Sequence, residues 1–173
     1  MAKKRVKGLF KLKQQLNNKF KEIDKDLKSI LQDYTLRIEY QAKRLAPTDM
    51  GHLGQSISSK VYKYIHTKGV VSANANYAPF VEFGTGAKAK IPIGFEKLAL
   101  RFKGKKRGNF DTFLENIKGW CKRKGIDEKN AYVIAVSILK KGIMPQPFLI
   151  PSYLEQKIKY ELAVKKYKNE IRW

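Results

Sequence analysis

One cysteine and two histidines in 173 residues leave little material for redox or soft-metal chemistry. Cys121 has no second thiol to meet, which excludes an intrachain disulfide, and in "IKGWCKRKG" it reads as a buried helical thiol beside Trp120 with no histidine near it in sequence. His52 and His66 lie in dissimilar contexts and join no acid or nucleophile, so neither a metal site nor a catalytic constellation is expected, and no cofactor. Long apolar runs are missing: none reaches the roughly 18 residues that span a membrane, and the basic start "MAKKRVKGLF" lacks the apolar segment of a signal peptide. The chain is therefore expected to be soluble, made in a cytoplasm and without a membrane partner. Acid is also scarce. Fifteen Asp and Glu face 37 Lys and Arg, a formal charge of +22, which favours a polyanionic partner or an acidic protein neighbour and repels other copies of the chain until something neutralises it. A lysine-rich proteome from an AT-rich genome would give the same bias.

What is present suffices for a core. With 43% hydrophobic and 12% aromatic residues, a chain of this length fits one domain over residues 1–173 and buries roughly 70% of the surface it exposes unfolded. Between Leu9 and Ala46 there is neither proline nor glycine, and Leu12, Leu16, Phe20, Ile23, Leu27, Ile30, Tyr34, Ile38, Ala42 and Leu45 recur in steps of three and four. This predicts a helix over 9–46, about 50 Å long at 1.5 Å per residue, ending at Pro47. A helix so long in so small a domain is expected to overhang a sheet and be partly intermolecular, the alternative being a helix packed on a copy of itself.

"PTDMGHLGQSI" reads as a corner in which Thr48 or Asp49 caps one helical turn. Ile57, Val61 and Ile65 on one parity and Tyr62 and Tyr64 on the other predict a strand, and "HTKG" (His66 to Gly69) turns it into a second, "VVSA". Residues 87–110 hold eight Lys or Arg against Glu96 alone, which suggests an exposed basic excursion with a short ordered piece around Phe95 to Phe102. Two helices follow, the first capped by Asp111 and stopped at Gly125, the second capped by Asp127 and stopped at Gly142. The prolines of "MPQPFLIP" hold that segment extended, and residues 152–173 close the chain as a basic amphipathic helix.

Motifs for chemistry are weak. The Gly-Thr-Gly of "YAPFVEFGTG" lacks the third glycine of a dinucleotide fingerprint and the Gly-Lys-Ser/Thr of a P-loop. Glu82 has no partner for acid–base work, and Asp24, Asp26, Asp127 and Glu128 read as helix-surface or helix-start residues. Non-specific nucleic-acid binding is the stronger rival: eight basic residues and no acid precede Glu22, and aromatic rings are available to stack, but no finger, ribonucleoprotein or G-x-x-G motif accompanies them.

Three separated segments, "AKRLAPTDMGHLGQSI", "NYAPFVEFGTG" and "MPQPFLIPSY", together with the Trp-x-x-x-x-Gly-Ile pattern of "WCKRKGI", resemble in order the motifs of the tail-completion or tail-component family of long-tailed bacteriophages. The resemblance covers residues 42–153, departs from the pattern at Ser152-Tyr153, and rests on Ala46, Pro47, Gly51, Leu53, Ser56, Ile57, Tyr77, Ala78, Glu82, Phe83, Gly84, Thr85, Trp120, Pro147, Phe148, Leu149 and Pro151 as family-motif positions. It implies an α+β fold, a long N-terminal helix packed on a small antiparallel sheet with further helices in the C-terminal half. It also implies a non-enzymatic virion protein of the neck or upper tail, assembled in the host cytoplasm, whose partners are copies of itself in a ring (a hexamer, like the tail), connector or stopper proteins, and tail-tube or terminator proteins. In this light Tyr77, Phe80, Val81 and Phe83 should anchor a corner of the core, Glu82 should pair locally or across a subunit boundary, and Gly84 and Gly86 should permit a sharp exit stabilised by Thr85. Lys88, Lys90, Arg101, Lys103, Lys105, Lys106 and Arg107 are the expected interaction residues, toward acidic protein or toward genomic DNA in the lumen.

Overall fold

The computed structural model describes residues 2–63, 66–102 and 109–171. Its first element, α1 (Ala2–Leu45), is the long helix that the three-and-four spacing predicts, but it starts before Leu9 and runs through Gly8, since one glycine costs a helix only about 1 kcal/mol. A single helical turn, α2 (His52–Ser56), leads into the antiparallel hairpin of β1 (Ile57–Lys63) and β2 (Thr67–Ala73), registered Ile57 on Ala73 and Lys63 on Thr67. The turn therefore falls before Thr67 and not across His66 to Gly69, whose last three residues are already paired. Tyr64 and Ile65 lie outside the described residues.

Short α3 (Ala78–Phe83) and α4 (Glu96–Leu100) precede the longer α5 (Phe110–Lys124), α6 (Ala131–Lys141) and α7 (Leu149–Glu170). Helix α5 is capped by Asn109, whose side chain accepts from the Asp111 N–H, so the cap lies two residues before the aspartate and Asp111 serves as donor. Asp127 does cap, accepting from Lys129 N–H, but through the 3-10 turn Glu128–Asn130 that runs into α6. At the first corner neither Thr48 nor Asp49 caps α2; Gly51, in the left-handed region, fills that position.

Helix α1 lies against both the hairpin and α7. Its second half and the residue just after it supply Ala42 and Ala46 to a core completed by Leu53, Ile57, Ala78 and Phe148, and the small alanines let the hairpin and α7 approach closely. A satellite core of Phe83, Ala99 and Ile150, with Phe95 and Phe102 packed on it, ties α4 down; the excursion over 87–110 is thus anchored in its middle. Helices α1 and α7 run antiparallel: Gln41 meets Gln156, the Tyr34 and Tyr160 rings stand edge to face at 5.9 Å, and Tyr167 donates its hydroxyl to Asp26 at 2.7 Å. That bond to Asp26 pushes the Tyr167 pKa up to about 12.

The seam runs out where α7 ends. From Gly8 to Asn18 every residue of α1 is exposed, and Leu12 and Leu16 keep 52% and 41% of their surface in solvent. The apolar stripe read as one face thus divides, packed from about Ile23 onward and overhanging before it. Leu45, the last stripe member, is also exposed.

Candidate functional site

The segment from Tyr77 to Gly86 was predicted to be a corner, and it is a short helix with a glycine exit. Pro79 sits in the first turn of α3, where its missing N–H removes a donor that has no helical partner in any case. At the other end Gly84 turns the chain with φ +71; a Cβ there would stand 2.7 Å from the Ile143 carbonyl oxygen. Phe83 is buried and Phe80 and Val81 half-buried, whereas Tyr77 keeps 46% of its surface exposed and does not anchor the core as expected.

Glu82, 6% exposed, points at the start of α7. Its Oε2 accepts from the N–H groups of Phe148 and Leu149 and its Oε1 from Ile150, each at 2.9 Å. The first four N–H groups of a helix have no intrahelical acceptor. Here one carboxylate satisfies three, and the fourth position is Pro151, which has none. The anion also faces the positive end of the helix dipole. This explains why α7 begins at Leu149 and not at Ser152: proline is tolerated within the first turn, and Glu82 supplies the cap that the local sequence lacks. Inside that turn Ser152 is fully buried and donates its hydroxyl to the Phe148 carbonyl, so a small side chain is required where the family pattern has alanine.

The same two segments are laced together further along. Thr85 donates its N–H to the Ile143 carbonyl (3.0 Å) and accepts the Ile143 N–H on Oγ1 (2.8 Å), and Gln146 N–H donates to the Val81 carbonyl (2.8 Å). Gly142 makes the contact possible: a Cβ on it would fall 1.9 Å from the Thr85 carbonyl oxygen. Gly142, Ile143 and Gln146 were missed as site residues because backbone pairing leaves no side-chain signature; Gly142 read only as a helix stop.

The remaining motif positions frame this clamp. Ala46, Leu53, Ile57, Ala78 and Phe148 form the core beneath it, Ser56 donates its hydroxyl to the Leu53 carbonyl, and Leu149 and Pro151 are half-buried. Beside it, Pro47, Gly51, Leu53, Tyr77, Trp120 and Gln146 line a cleft of about 510 Å³, so all four motif segments converge on one place. Asp49, also in the cleft's lining, accepts from Arg123 Nε on both carboxylate oxygens (3.2 and 3.1 Å), and this hydrogen-bonded partner holds the Asp49 carboxyl below its usual range. Cys121, fully buried, packs one residue from Trp120, and Gly125 ends α5 in the left-handed conformation. Pro147 is exposed.

The basic residues are elsewhere. Lys88 is half-buried in the turn Gly86–Lys88, Lys90 is exposed with its N–H held by the Phe83 carbonyl, and Arg101 is exposed after α4. Lys103, Lys105, Lys106 and Arg107 lie outside the described residues. Chemically the clamp is occupied: both Glu82 oxygens are engaged by backbone donors in a buried setting. His52 and His66 are exposed and far from forming a cluster, and among the described residues no group of three or more His, Cys, Asp or Glu could hold a metal. No helix among the described residues is long and apolar enough to cross a membrane.

Residues 10–84 match the family model HK97-gp10-like, whose description reads "Bacteriophage HK97-gp10, putative tail-component". The matched span takes in α1 from its overhang onward, the hairpin and α3, and ends at the turn glycine after Glu82. No curated protein and no solved structure matches the chain. The family model and the motif resemblance agree: over this span the chain is similar to a bacteriophage tail component, a structural protein of the virion.

Proposed function

We propose that this protein is a non-enzymatic ring component of the phage neck or upper tail, joining the portal-connector complex to the tail tube during morphogenesis. The observation that carries the reading is the use made of the motif residues: the family's matched segment delivers Glu82 to the start of α7 and spends its carboxylate on three backbone N–H groups. A motif whose only acid is consumed in holding the fold supports a scaffold and not a reaction. Exposed apolar side chains on α1, α6 and α7, among them Leu12, Val133 and Ile158, suit a subunit that is covered by neighbours on several sides.

The test is a phage deleted for this gene and complemented in trans. Wild-type chain should restore joined particles and be found at the head–tail junction by labelled electron microscopy. Fully joined, infectious particles made in its absence would overturn the proposal. The net charge of +22 favours a second reading, non-specific nucleic-acid binding. It predicts that the isolated chain binds duplex DNA with an affinity that falls steeply with salt and that particles lacking the chain are joined but poorly filled.

A further inference from the structure

Two unsatisfied features of the same chain are complementary. The first is the overhang of α1, where Leu9, Leu12 and Leu16 continue the stripe that packs farther along the helix but stand in solvent. The second is an apolar groove of about 500 Å³ between α1, β2, α4 and α7, lined by Tyr34, Ile38, Val70, Leu98, Tyr153 and Tyr160. Val70, Leu98 and Tyr153 are exposed on its rim, and Gln156, in its wall, has a buried Oε1 with no hydrogen-bond partner. The overhang cannot fill its own groove. Leu16 and Leu31 belong to one straight helix, about 22 Å apart at 1.5 Å per residue.

We propose that the α1 overhang of one copy docks in the groove of the next copy, a head-to-tail contact that closes into a ring by repetition. This rests on the ring reading above and names the surfaces that make it. The mode is an amphipathic helix laid into an apolar groove. Charge on the two surfaces also fits: Lys11 and Lys13 are donors only, with no acid before Glu22, while the groove's wall offers the accessible carboxylate of Glu161, which Lys157 holds at only 3.9 Å. Charge sets a further condition. Two copies of +22 repel at long range, so the contact must strengthen when salt screens that repulsion. Docking on an acidic protein, an anionic lipid surface or DNA has the opposite salt dependence.

The experiment uses the nuclease-treated full chain, with mass measured by sedimentation equilibrium between 0.1 and about 1 M NaCl, on both sides of the screening range. Wild-type should self-associate, more strongly at high salt. Leu12→Glu/Leu16→Glu, altered only in the overhang, and Val70→Glu, altered only in the groove, should each be monomeric at matched concentration and melt like wild-type; Lys60 lies opposite Val70 in the hairpin and can pair the new acid. Mixed, the two variants should form dimers and nothing larger, since one good overhang meets one good groove. The proposal is overturned if either variant associates as wild-type does, if the mixture stays monomeric, or if association of wild-type weakens with salt. Should the overhang variant form a normal junction in complemented particles, this contact fails and the ring reading stands; should wild-type be missing from the junction, the ring reading itself fails.

Discussion

Glu82 decides how the C-terminal helix begins, and its substitution separates charge from shape. In Glu82→Gln an amide NH2 must face backbone N–H donors, leaving buried donors unsatisfied at about 1–3 kcal/mol each. We expect a loss of about 2–4 kcal/mol, seen as a lower urea midpoint with an unchanged slope; an unchanged midpoint would show that the three bonds contribute nothing net. The glycines give a second contrast. Gly125 and Gly142 both have positive φ, but a Cβ at Gly125 meets nothing within 4 Å while one at Gly142 collides with the Thr85 carbonyl. Gly125→Ala should cost about 1–2 kcal/mol, the left-handed penalty alone. Gly142→Ala also lies in a region open essentially only to glycine (φ +78, ψ 175), and must break the pairing with Thr85, so a loss of about 3 kcal/mol or more is expected. Equal melting temperatures for the two variants would refute the close approach.

Elements are tied to one another here by carboxylates, which makes the assembly of elements acid-sensitive. Glu39 on α1 accepts from Lys43 and from Ser59 on β1, Asp49 accepts from Arg123 on α5, and Glu155 on α7 accepts from Lys159 and from Gln41 on α1. These donors hold all three carboxyls below their ordinary values. A folded pKa below the unfolded one gives stability that is complete above the ordinary carboxylate range, about 4, and lost as pH falls through the folded values. Melting temperature should therefore drop between about pH 5 and pH 2, and Asp49→Asn should show a shallower drop; parallel curves would remove that pair from the account. Legibility follows the same division between local and distant causes. Helix α1, the hairpin and the stops at Gly125 and Gly142 were readable because spacing and backbone freedom are local. The start of α7 was not, because its cap lies 66 residues upstream, and the exposure of Tyr77 was not, because burial depends on what packs above the residue. Asp49 looked like a cap from its neighbours, but Arg123, brought in by α5, claims it. Which segments matter was legible through resemblance; that they meet was not, because the clamp that joins them, made by one acid and bare backbone, has no sequence signature.

For the whole molecule the question is where the positive charge is answered. The excursion over residues 87–110 carries eight basic residues and Glu96, and Glu96 is already engaged by its own backbone N–H and by that of Gly94 at 2.9 Å, which hold its carboxyl below the usual range. The segment therefore has no spare acid of its own, and we expect a partner to supply the negative charge. Between acidic protein and DNA, protein is the better match under the neck reading proposed above, since a lumen that gripped phosphates would retard the genome on its way out. Reversing Lys103, Lys105, Lys106 and Arg107 to glutamate tests this directly. Four charge changes in this lysine- and glycine-rich stretch should shift stability by within about 0.5 kcal/mol each and leave the melting curve nearly in place. Head–tail joining should fail instead. In a deletion phage supplied with this variant, separate heads and tails by electron microscopy, together with unchanged duplex-DNA affinity of the isolated chain, would place the charge against protein. Loss of DNA affinity with normal joining would move it to the nucleic acid, and joined, infectious particles with both properties unaltered would mean that the excursion's charge faces only solvent and counterions.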